Sequence, residues 1–62
     1  MSAIDDLKQF RQILVAMRRD CAARGIKPDA DRAEWAAGVT NAQEWIEAVD
    51  KAIADEQKLG GG

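Results

Sequence analysis

Residues 4–24 read IDDLKQFRQILVAMRRDCAAR, with neither proline nor glycine among them. Leu7, Phe10, Leu14, Met17 and Cys21 recur at spacings of three and four, which puts them on one stripe of a helix. Ala3 continues the stripe backwards, while Ile4 and Ile13 widen it. An apolar stripe of this length does not stay in water, so the remaining chain or a second copy must cover it. Ser2 stands where an N-cap hydroxyl accepts from a free amide of the first turn. Asp5 and Asp6 follow at the positive helix end, and Arg18, Arg19 and Arg24 lie toward the negative one. Gly25 reads as a left-handed C′ residue, with Ile26 placed for the apolar contact of a Schellman motif. The first helix is therefore expected over residues 3–24.

Downstream, Lys27-Pro28 marks a break, and Asp31 with Glu34 has capping-box spacing. Ala30, Ala33, Trp35, Ala36 and Ala37 then read as a short middle helix over 29–37, ending at Gly38. Thr40 or Asn41 caps a third helix over 41–58, with Val39 as a hydrophobic staple. Its stripe is Ala42, Trp45, Ile46, Val49, Ala52 and Ile53, extended by Leu59 before Gly60 ends it. Gly60, Gly61 and Gly62 read as a flexible tail. The expected fold is all-α: residues 1–59 form one antiparallel helical hairpin with a short middle helix, pairing into a dimeric bundle. A three-helix monomer is the alternative.

Sixty-two residues give only fifteen large apolar side chains besides Met1. A core of this size rarely supplies more than about 3–5 kcal/mol without a staple. One cysteine cannot form an internal disulfide, and no His and Cys cluster is present to bind zinc. Association with a second copy or a partner is the remaining source of stability. The net charge of −2 is unevenly distributed. Residues 2–24 carry five bases against three acids, and residues 29–58 carry eight acids against three bases. Two antiparallel helices attract one another through this asymmetry. In a sharper reading, the basic face of the first helix receives an acidic partner.

The inventory offers little for catalysis. Histidine and tyrosine are absent, Cys21 lies on the apolar stripe, and no glycine-rich phosphate loop occurs. No enzyme activity and no cofactor are expected. Asp29-Ala-Asp31 begins like a calcium loop, but Ala33, Glu34 and Thr40 occupy its fifth, sixth and twelfth positions. The ligand set fails at all three. A basic start followed by an apolar core is missing at the N-terminus, and no run approaches a membrane span. With one free thiol, the cytoplasm is the expected compartment.

Ala37-Gly38-Val39-Thr40, between two helical segments, resembles the turn of a helix-turn-helix over about twenty residues. That resemblance implies a nucleic-acid-binding regulator. The sequence departs from the motif at Glu34 and Glu44, where the two helices would pack. The recognition helix, Asn41 to Asp50, would also turn acids toward phosphate. A small non-enzymatic module that binds another protein, as adaptor, inhibitor or regulator, is the leading expectation. Its candidate contacts are Arg11, Arg18 and Arg19, on the basic face of the first helix, and Trp35, because tryptophan is enriched at interface centres. A structural subunit of a larger assembly is the other alternative. The size and the Ala-, Arg- and Asp-rich composition suit an accessory protein of a bacterium or a phage.

Overall fold

The computed structural model describes residues 2–60. Met1, Gly61 and Gly62 lie outside them, and with the two glycines most of the expected tail. Two helices, α1 (Ala3–Gly25) and α2 (Arg32–Lys58), pack against each other, and no strand occurs among the described residues. At 1.5 Å per residue they are about 35 and 40 Å long.

Local signals set three of the four helix ends. The Ser2 hydroxyl accepts from the Asp5 amide at 3.1 Å, and the Asp31 carboxylate accepts from the Glu34 amide at 3.2 Å. Gly60 adopts φ +73°, a conformation natural to glycine. Its amide donates to the Gln57 carbonyl at 3.2 Å, closing α2 after Leu59. The end of α1 differs from expectation. Gly25 is the last helical residue rather than a left-handed C′, and Ile26 is a right-handed C-cap with 79% of its surface exposed. A Cβ on Gly25 would stand 3.1 Å from the Cβ of Trp35, so the glycine admits the tryptophan instead of reversing the chain.

Gly38 corrects the sequence reading in the same way. The expected middle and third helices are one continuous helix, in which Val39, Thr40 and Asn41 cap and staple nothing. Neither the three-helix monomer nor a helix-turn-helix forms, because residues 37–40 are helical. A Cβ at Gly38 would meet the Cys21 sulfur at 2.8 Å. Glycine lets α1 approach closely here, and the packing gained outweighs its helix cost of about 1 kcal/mol.

The cross-helix pairs fix an antiparallel register. Moving seven residues forward from Arg11 to Arg18 moves seven back, from Asp50 to Gln43. Leu14, Ile46 and Val49 form the buried centre, with Leu7, Val15 and Ile53 packed around it. Ile4 and Ala42 are the other buried apolar residues. The expected charge attraction takes the form of an Arg11–Asp50 ion pair at 2.6 Å. The molecule measures 48 × 17 × 9 Å, one helix thick in its shortest direction.

Candidate functional site

Half of the apolar stripe of α1 is not covered by α2. Phe10, Ile13 and Met17 are 50%, 53% and 42% exposed, whereas Leu14 between them is buried. The face of α1 turned to α2 runs through Leu7, Arg11, Leu14, Arg18, Cys21 and Gly25 at spacings of four and three. Offset from it by one residue runs a second row of the same periodicity, through Phe10, Ile13 and Met17. A matching row on α2 passes through Trp45, Ala48 and Ala52, and Trp45 is 49% exposed. Between the rows lies an open groove of about 530 Å³, lined by Phe10, Leu14, Met17, Trp45, Ala48 and Val49. All six lining residues are apolar.

The four residues expected to contact a partner lie elsewhere. Arg11 donates through Nε to Asp50 Oδ1 at 2.6 Å and through Nη2 to Oδ2 at 3.4 Å. The hydrogen bonding to Asp50, and then the Asp50 charge itself, raise the Arg11 pKa above the ordinary guanidinium value. Arg18 donates to the Gln43 side-chain oxygen at 2.6 Å in a half-buried contact. Arg19 is exposed and makes no hydrogen bond or ion pair among the described residues. Trp35 is half-buried against Gly25, and the Arg24 guanidinium lies 5.5 Å from its ring centre. Arg11 and Gly25, against which Trp35 packs, are fourteen residues apart along α1, about 21 Å. These residues are therefore not gathered into one surface.

Trp45, expected within the covered stripe, faces outward instead, while Trp35 is half-buried at the turn. The signal for Trp45 was present in the sequence. Ile46 and Val49 already fill the stripe facing α1, and Trp45 precedes Ile46 on the adjoining row.

A second, shallower depression of about 270 Å³ lies at the turn, lined by Arg24, Lys27, Asp29, Ala30, Asp31, Glu34 and Trp35. Arg32 donates to the Gly25 carbonyl at 2.7 Å and to the Lys27 carbonyl at 3.3 Å, satisfying acceptors at the end of α1. These contacts hold the connection between the helices. Among the described residues no group of His, Cys, Asp and Glu is placed to hold a metal ion, and no helix is long and apolar enough to cross a membrane.

The fold and surface define a class: an all-α helical hairpin with one apolar face uncovered. No protein-family model matches the chain, and neither a curated protein nor a solved structure matches it significantly.

Proposed function

We propose that this chain is a non-enzymatic interaction module whose working surface is the apolar face of the hairpin, and that its ligand is the apolar side of the helices of a second protein molecule. One observation carries this: three large apolar side chains (Phe10, Met17 and Trp45), each about half exposed, border one groove with an apolar floor, and the exposed Ile13 lies on the same row of α1. Contiguous apolar patches on small domains mark association surfaces. Tryptophan at such a position is the residue type most enriched among energetic anchors. Helices are the fitting ligand, because the rows repeat at helical spacing and offer ridges and grooves along the hairpin. A helical bundle completed by another chain is the architecture this function calls for.

Site-specific photocrosslinking in cells of the source organism tests the proposal. A photoreactive residue replaces Met17 on the apolar face, and a second version carries it at Lys51, on the exposed polar side of α2. Protein adducts formed from position 17 and absent from position 51 are the expected result. Equal adducts from both positions, or none from position 17, overturn it.

A further inference from the structure

We propose that the occupant of the apolar face is a second copy of this chain, related by a two-fold axis, so that two hairpins complete a four-helix bundle. The inference rests on the association function proposed above and names its partner.

The first argument is area. A compact monomer of 6.8 kDa exposes about 3,950 Å². This chain exposes 4587 Å², about 600 Å² more. Each partner in a standard-size interface covers about 800 Å². The excess is therefore close to what a single pairing removes. The second argument is thickness. Domains bury their apolar faces between at least two layers, and this hairpin is one layer, 9 Å deep.

The third argument is self-complementarity, which a two-fold interface demands because the same patch serves both sides. An axis crossing both helices reverses their direction and stacks each helix on its own counterpart. Placed between Phe10 and Met17 on α1, it brings Phe10 of one copy over Met17 of the other and Ile13 close to its own equivalent. Placed between Trp45 and Ala48 on α2, it brings the bulky indole over the small alanine. The two placements must coincide, and the register makes them do so. Leu14, at the α1 midpoint, packs beside Ile46, at the α2 midpoint. Arg11–Asp50 and Cys21–Gly38, on either side, keep the two levels within about one residue, 1.5 Å. One axis thus sets Phe10 on the flexible Met17 and Trp45 on the small Ala48, with Ile13 beside its own equivalent at the axis.

The test is sedimentation of the purified chain from low to high micromolar concentration. In parallel, tryptophan emission is recorded in a Trp35→Phe background, where Trp45 is the sole reporter. Twice the chain mass of 6.8 kDa, with a blue shift of Trp45 emission as the dimer forms, is expected. Trp45→Gln should weaken the dimer by about thirtyfold, and Ala48→Glu should abolish it. Arg19→Gln, on the polar side of α1, should leave it unchanged. Circular dichroism confirms that each variant remains helical, and Trp45 and Ala48 are both exposed enough for substitution. A helical chain that stays one mass unit at several hundred micromolar overturns the second copy. If position 17 still crosslinks to a different protein, only this inference fails. A dimer indifferent to both Trp45→Gln and Ala48→Glu overturns the assigned face.

Discussion

Replacing Gly38 by alanine should have opposite effects depending on one atom of the neighbouring helix. The new Cβ lies 2.8 Å from the Cys21 sulfur and 3.6 Å from the Cys21 Cβ. The second distance is an ordinary contact, while the first falls about 0.7 Å short of one. Inserting a methyl group into such a contact costs about 1–3 kcal/mol. Alanine in place of glycine within a helix returns about 1 kcal/mol. The net expectation is destabilisation by about 1 kcal/mol. In a Cys21→Ala background the clash is gone and only the helix term remains, so the same substitution stabilises by about 1 kcal/mol. The coupling between the positions is then about 2 kcal/mol, well above the additivity error of distant sites. Urea unfolding followed by far-UV circular dichroism resolves it, with all four variants held at a concentration where sedimentation shows each to be monomeric, so that association contributes nothing. Gly38→Ala stabilising the native background as much as the Cys21→Ala background would show that α1 and α2 do not touch there. The reason given for the continuity of α2 would then fall.

Ile46→Ala removes the largest fully buried side chain and should cost about 2–5 kcal/mol, comparable with the whole stability of so small a core, so most of the helical signal should vanish at room temperature. Asp31→Ala should lower stability by about 1 kcal/mol through loss of the cap on the Glu34 amide, whereas Asp29→Ala should change little; equal effects in thermal melts would refute the cap assignment. Trp35→Ala should destabilise by roughly 2 kcal/mol and Trp35→Phe should recover most of that, because the side chain packs on Gly25 at the turn. The raised Arg11 pKa means that its pairing stabilises fully below the ordinary guanidinium value and is lost only above the raised one. The stability difference between wild type and Arg11→Gln should therefore stay flat through neutral and mildly alkaline pH, and a slope in that range would implicate another group.

The helix ends legible in the sequence are those decided by a few adjacent residues. Ser2, Asp31 and Gly60 need only their own turn, and each does what its position indicates. Gly25 and Gly38 have the same local appearance as Gly60. Their roles depend on residues across the hairpin, Trp35 and Cys21, which no local pattern supplies. The candidate surface was half legible for a related reason. Leu7, Phe10, Leu14, Met17 and Cys21 form one plausible stripe, and a one-residue rotation of α1 determines which of them are covered. In the rotation adopted, Leu14 is buried against Ile46 and Val49, and Arg11 and Arg18 reach Asp50 and Gln43 across the helix pair. Phe10 and Met17 are thereby turned outward.

Gly38 connects the packing of the hairpin to its uncovered face. Had residues 29–37 formed a helix of their own, they would have been the segment free to fold back over Phe10, Met17 and Trp45. Among the described residues no other segment is placed to do so, since α1 and residues 41–58 already face each other. Close approach at Cys21 instead continues α2 through residues 32–40 and extends the same single layer toward Trp35. The contact that lengthens the hairpin thus removes the element that could have closed it. What remains is a helix pair with a short row of buried residues and a second apolar row facing water. None of the described residues covers that row. Whatever weakens the Cys21–Gly38 approach should therefore act on association as well as on stability.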